Sequence, residues 1–173
     1  MQTLTLGAGC FWCLDAVYQR TRGVSSVISG YTGGDVEHPT YEQVCSGTTG
    51  HAEALQVTFD PEIVPEDVIL GLFFTGHDPT SLNRQGNDVG TQYRSAMFYR
   101  DEQERERFAQ ILTSVQDQIG RPVVTTLEPL GEFWEAEPVH QDFYTQFPTN
   151  GYCRFIVEPK LATARAHFHE WVG

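Results

Sequence analysis

Basic residues are scarce in this chain: 11 Lys and Arg stand against 23 Asp and Glu, a net charge of -12 over 173 residues. That shortage argues against a nucleic-acid partner, because such binding rests on neutralising phosphates. It argues equally against an anionic membrane surface. The acidic balance reads as a solvated surface that aids solubility. Long hydrophobic runs are missing too, and no stretch approaches the roughly 20 apolar residues that cross a bilayer. The N-terminus has neither the basic region nor the apolar run of a signal peptide. The expected location is therefore the cytoplasm. Cysteine is too sparse for a disulfide framework, so Cys10, Cys13, Cys45 and Cys153 read as thiols of a reducing compartment. No repeat, linker or low-complexity segment divides the sequence. One domain over 1–173 is expected, large enough for an ordinary core.

Two near-motifs also lack a part. Gly7-x-Gly9 has Trp12 where a dinucleotide fingerprint needs its third glycine. Cys10-x-x-Cys13 is half of a zinc ribbon without a second Cys-x-x-Cys, and Cys45, His51 and Cys153 match no compact knuckle spacing. No metal site is expected.

What is present centres on Gly7-Ala8-Gly9-Cys10-Phe11-Trp12-Cys13. Residues 2–6 alternate as a strand does, and Leu14, Val17 and Tyr18 recur at helical spacing. The glycines between predict a tight strand-to-helix turn with Cys10 at or beside the first helical turn. Unpaired N–H groups and a partial positive charge there favour a thiolate. The Cys-x-x-Cys spacing brings both sulfurs within disulfide reach, so the stretch reads as a nucleophilic or redox cysteine. Strands are expected at 24–31, 51–59, 95–99 and 122–127. Helices are expected from Pro65, from an Asp101 cap through Ile119 to a Gly120 stop, and over 161–171. Residues 77–95 show no period and read as a functional loop. Cys45 is expected to pack in the core. This order predicts an α+β fold, a two-layer α/β sandwich with an irregular C-terminal tail.

A nucleophilic sulfur needs an electrophile beside it and a group that stabilises what leaves. Glu53 and Asp88 are the candidate acids, and a desolvated carboxyl stays protonated near neutral pH. Tyr41 and Tyr93 are phenolic donors in the same stretches. His51 and His77 are candidate general bases, though each in isolation reads as a loop hydrogen-bonder.

Several motifs carry a resemblance. Gly9-Cys10-Phe11-Trp12, Gly30-Tyr31-Thr32-Gly33-Gly34, Pro39-Thr40-Tyr41, Gly50-His51-Ala52-Glu53, His77-Asp78-Pro79, the run from Arg84 to Ser95, His140-Gln141-Asp142 and Gly151-Tyr152-Cys153 occur in order over most of the chain. Together they resemble the peptide methionine sulfoxide reductase A family. The resemblance implies a ferredoxin-like core and reduction of the S epimer of methionine sulfoxide, free or in proteins. It implies Cys10 as nucleophile and Phe11 and Trp12 as a pocket for the substrate methyl group. Tyr41, Glu53 and Tyr93 would hold the sulfoxide oxygen, with Asp88 in the same site. It implies no metal and no bound cofactor, with electrons from thioredoxin or another dithiol. Many relatives carry Gly at the position of Cys13, which leaves Cys13, Cys153 or a relay through both as the resolving thiol. The competing class is a thiol-disulfide oxidoreductase or redox-sensing module built on the same Cys-x-x-Cys. Disulfide exchange has no use for the donor set of Glu53, Tyr41 and Tyr93, which separates the two.

Overall fold

The structure, a computed structural model, describes residues 1–173. Strand β1 (Gln2–Ala8) is followed by helix α1 (Phe11–Gln19) and strand β2 (Val24–Thr32). The short helix α2 (Tyr41–Cys45) precedes β3 (Ala52–Phe59) and α3 (Glu66–Thr75). The two-residue strands β4 (Arg84–Gln85) and β5 (Asp88–Val89) form a hairpin ahead of β6 (Ser95–Tyr99). Helix α4 (Glu102–Ile119), β7 (Thr126–Pro129), β8 (Trp134–Glu135), α5 (Phe143–Gln146) and α6 (Glu158–His167) complete the chain.

One six-stranded sheet runs β7-β6-β1-β3-β2-β8. Its central strands β6-β1-β3-β2 are antiparallel neighbours. With α1 and α3 as the connecting helices they form the β-α-β-β-α-β order of ferredoxin-like folds. After α4, β7 joins β6 in parallel, as a helical crossover requires.

Strand alternation decides the two faces. Leu4, Leu6 and Ala8 of β1, Leu55, Val57 and Phe59 of β3, and Met97 of β6 bury one face. They pack against Val17 and Tyr18 of α1, Ile69 and Phe73 of α3, and Phe108 of α4. Met97, fully buried, is one of two methionines in the chain. The other face is covered at Ala52, Ala54, Ala96 and Phe98 by Leu130 and Phe133. Gly30 makes that cover possible: a Cβ there would lie 2.5 Å from Phe133 Cζ and 2.5 Å from the Trp134 carbonyl oxygen. Glu53 shares the parity of Leu55 and stands on the helical face, beside the start of α1.

The two-layer α+β expectation holds, with differences in detail. The strand expected at 122–127 begins only at Thr126, because the Val124 N–H is turned to the Pro79 carbonyl, 2.8 Å away. The aperiodic loop 77–95 contains the β4–β5 hairpin and a 3-10 turn at Thr91–Tyr93. The irregular tail ends early: the chain is helical from Gly151 to His167, with a π-helical turn at Cys153–Val157. Cys153 is therefore helical and buried rather than on a loose tail. Pro159 lacks an N–H and crowds the preceding turn. The wide π turn ahead of it accommodates that ring inside a continuous helix.

Candidate active site

The turn from β1 into α1 sets the position of Cys10. Gly9 has φ +83, and a Cβ there would lie 2.7 Å from Gln85 Cγ. Only glycine meets both conditions. Cys10 is the N-cap of α1, with φ -58 and ψ 122, and its carbonyl accepts the Cys13 N–H at 3.3 Å. Both thiols are buried and within hydrogen-bond reach of each other. Burial and then the Cys13 partner raise the Cys10 thiol well above 9.0, against the Trp12 N–H, which lowers it. Cys13 is lowered to about 7 by the Cys10 hydrogen bond, with Lys160 and the Tyr152 hydroxyl assisting. The pair thus gives up its first proton near neutral pH. The helix start alone had suggested a lowered Cys10 thiol; burial instead raises it.

Glu53 is 1% exposed. Its Oε1 accepts the Phe11 N–H at 3.1 Å, while its Oε2 is buried with no partner. Burial raises this carboxyl to about 8, outweighing the Phe11 hydrogen bond. At neutral pH Glu53 therefore holds a proton beside Cys10, on an oxygen that no protein group satisfies.

The reciprocal Thr40–Gln43 capping box starts α2, with Thr40 Oγ1 accepting from the Gln43 N–H at 3.2 Å and Gln43 Oε1 from the Thr40 N–H at 2.9 Å. It fixes Tyr41 at the first helical position. Glu137 anchors this corner, accepting from the Tyr31 hydroxyl at 2.8 Å and the Tyr41 N–H at 2.9 Å. Tyr93 precedes Arg94, whose guanidinium grips Glu128 through bonds of 2.9 and 3.0 Å. Burial and the Glu53 charge hold the Tyr41 and Tyr93 hydroxyls protonated, well above the usual phenol range. Cys45 is half-buried within reach of both hydroxyls rather than in the core.

Phe11 is buried against Tyr31, Val44 and Ala136. Trp12, half-exposed, stacks on Phe143 with centroids 3.7 Å apart and meets the Tyr152 ring edge-on at 5.5 Å. Its Nε1–H donates to His140 Nδ1 at 3.2 Å, which places the His140 proton on Nε2. Burial lowers the His140 pKa and keeps that ring neutral. His140 also lies 4.2 Å from the Tyr41 ring and 5.7 Å from Phe11, centroid to centroid. The apolar wall is thus Trp12 in front of Phe11, closed by His140.

On the other side of Cys13, the Tyr152 hydroxyl donates to Asp88 Oδ2 at 2.7 Å and accepts from Cys13 Sγ at 3.8 Å. Gln85 clamps the 78–88 loop through two bonds to the Asp78 backbone, 2.9 and 2.7 Å. Cys153 is fully buried and packs in one cluster with Cys13, Ala16, Phe143 and Val157. Burial and the Cys13 charge raise its thiol.

All nine residues singled out from the sequence thus gather around the start of α1. His140 and Tyr152 stand in motifs of the sequence without a role, and Glu137 in none: their partners lie 128, 64 and 106 residues away in sequence, so no local spacing shows what they hold. His51 and His77 are structural as expected. His51 accepts the Gly34 N–H at 3.0 Å and bonds the Val36 carbonyl at 2.7 Å. His77 bonds the Phe73 carbonyl at 2.6 Å and Ser95 Oγ at 2.7 Å. No three His, Cys, Asp or Glu side chains are grouped to hold a metal ion.

A family model described as peptide methionine sulfoxide reductase matches residues 2–171. Peptide methionine sulfoxide reductase MsrA of Paenarthrobacter aurescens is 59% identical over 172 residues, covering 99% of each chain. The reduced form of Mxr1 from Saccharomyces cerevisiae superposes with a TM-score of 0.82 at 32% identity, covering 88% of both chains. Methionine sulfoxide reductase A of Corynebacterium diphtheriae gives a TM-score of 0.82 at 34% identity, over 89% of this chain and 78% of that one. On sequence and structure alike, the chain belongs to the peptide methionine sulfoxide reductase family.

Proposed function

We propose that this reductase acts through Cys10 as the attacking sulfur, Glu53 as proton donor to the sulfoxide oxygen, and Cys13 as the thiol that resolves the product. The observation that carries the reading is the buried Glu53 carboxyl with its unpartnered Oε2, whose burial favours the protonated form. A sulfoxide has an electrophilic sulfur and an oxygen rich in negative charge. Attack on sulfur succeeds when a proton reaches that oxygen as charge develops. Tyr41 and Tyr93, both held as neutral phenols, are the further donors. Trp12 and Phe11 grip the S-methyl group and exclude water.

The oxygen moves to Cys10, giving methionine from the S epimer of the sulfoxide and a Cys10 sulfenic acid. The Cys13 sulfur then attacks Cys10, water leaves, and a disulfide forms. Cys153, seated against Cys13, takes over in a second exchange that frees Cys10. Asp88 orients Tyr152 over Cys13. A dithiol closes the cycle by exchange. Thioredoxin fits that role, since Mxr1, the yeast relative, is known in complex with Trx2. No bound cofactor enters the scheme. The single domain over 1–173 contains every group required, and the setting is the reducing cytoplasm.

The deciding experiment mixes reduced protein with one equivalent of a methyl sulfoxide and no reductant. One sulfide forms per enzyme, two thiols disappear, and mass mapping finds Cys13 in the disulfide. No sulfide formed, with every thiol retained, would sink this reading and favour plain thiol-disulfide exchange.

A further inference from the structure

A cavity of about 700 Å³ lies behind the site and plays no part in the chemistry above. Thr75 at the end of α3, Arg121, and Lys160 and Thr163 of α6 line it. Its inner wall includes Asp88 and Tyr152. None of Phe11, Trp12, Tyr41, Glu53 and Tyr93 lines it. It therefore borders Cys13 across the Tyr152–Asp88 hydrogen bond, on the side away from the oxygen donors. We infer that this cavity is the docking site for the thiol-bearing loop of a protein dithiol, and that Tyr152 is the gate between that thiol and Cys13 Sγ.

Three observations point this way. Tyr152 both lines the cavity and, through its hydroxyl, contacts Cys13 Sγ. Cys13 belongs to both disulfides of the proposed cycle, so a thiol reaching this one sulfur reduces either. The lining sets Arg121 and Lys160, the chain's one lysine, against Asp78 and Asp88, so within this strongly acidic chain an acidic partner meets less repulsion there than elsewhere.

The step is an ordinary exchange. The incoming thiolate bonds to Cys13 Sγ, and the bond from Cys13 to Cys10 or Cys153 breaks. The departing sulfur leaves with the electron pair and takes up the proton that the incoming thiol gave to solvent. The second thiol of the partner then attacks the mixed disulfide, releasing Cys13 reduced and the partner oxidised.

This inference rests on the Cys13 disulfide proposed above, and its test separates the two. Thr163→Trp and Thr75→Trp fill the cavity from α6 and from the end of α3, and neither replaces a residue placed in the chemistry. Both variants are expected to form sulfide from one equivalent of sulfoxide at the wild-type rate when no reductant is present. With thioredoxin as electron donor, kcat/KM for thioredoxin should fall about tenfold or more, while turnover with dithiothreitol stays within about threefold. Tyr152→Phe, which frees the gate but keeps the ring, should raise the dithiothreitol-driven rate. Unchanged thioredoxin kinetics in both tryptophan variants would overturn the assignment. So would a higher KM for an oxidised peptide, which makes the cavity a substrate subsite. Failure of the underlying reading is visible elsewhere, as wild-type protein that yields no Cys13 disulfide after one turnover.

Discussion

Glu53→Gln is the most informative single change. Glutamine preserves the side-chain shape and keeps an oxygen for the Phe11 N–H, 3.1 Å away. It cannot surrender a proton to the sulfoxide oxygen. A positioned proton donor contributes about 10²–10⁴-fold, and with Tyr41 and Tyr93 still present the loss should sit near the low end, about 10²-fold. The pH dependence is more diagnostic than the size. The Cys10–Cys13 pair loses its first proton at about 7 and the Glu53 carboxyl its own at about 8. The wild-type rate should therefore rise to neutrality and fall above pH 8, since about nine in ten Glu53 carboxyls are protonated at pH 7 and about one in ten at pH 9. In Glu53→Gln the falling limb disappears and the rate climbs to a plateau. The assay is rapid-quench measurement of sulfide in a single turnover without reductant. A second readout is stability. The folded-state pKa of Glu53 lies above its unfolded value of 4.5, so the native protein holds the extra proton and loses stability as pH rises from about 4.5 to 8. Removing that cost should stabilise the variant at pH 7 by up to about 3 kcal/mol, with little effect near pH 4. A variant within about threefold of the wild-type rate, or one that keeps the alkaline fall, would refute the proton-donor reasoning.

Other outcomes follow from the same geometry. Cys13→Ser should still form one sulfide per enzyme but accumulate Cys10 sulfenic acid, read by a sulfenate-specific label; Cys153→Ser should stop at a Cys10–Cys13 disulfide in mass mapping. Tyr41→Phe and Tyr93→Phe should each slow single-turnover sulfide formation by about tenfold, as expected for loss of one hydrogen bond to a developing oxyanion. His140→Ala strips the Trp12 indole of its acceptor, and should raise KM for methyl sulfoxides several-fold with a smaller change in kcat. Gly30→Ala places a methyl carbon 2.5 Å from the Trp134 carbonyl, and should cost about 1–3 kcal/mol in chemical denaturation with the thiol chemistry intact.

Legibility in the sequence followed the range over which each interaction acts. Helix α4 could be read end to end because its signals are local: Asp101 accepts the Glu104 N–H at 2.8 Å, and Gly120 takes the left-handed φ of 72. The turn holding Cys10 was likewise encoded in seven adjacent residues. The C-terminal helix was misplaced because Asn150-Gly151 and Pro159 look like breakers, whereas tertiary burial of Cys153, Val157 and Leu161 pulls the stretch helical. The balance of charge between Cys10 and Cys13 was also illegible. Helix-terminus electrostatics is a backbone property and can be anticipated, but desolvation depends on what Trp12, Tyr152 and the 78–88 loop place over the sulfurs. Glu137 escaped notice and His140 entered a motif without a role for the same reason, since each acts on residues about a hundred positions away.

The seat of Met97 carries a last consequence. A catalyst whose target is oxidised methionine would compete for itself if its own surface were rich in that residue. Here the one methionine past the first position is sealed in the middle of the sheet with no exposed surface, among an interior filled by phenylalanines such as Phe59, Phe73, Phe98 and Phe108. Oxidant reaching the folded protein therefore meets no thioether apart from Met1. Its first chemical wear falls instead on thiols such as half-buried Cys45, damage that another copy of this enzyme does not repair.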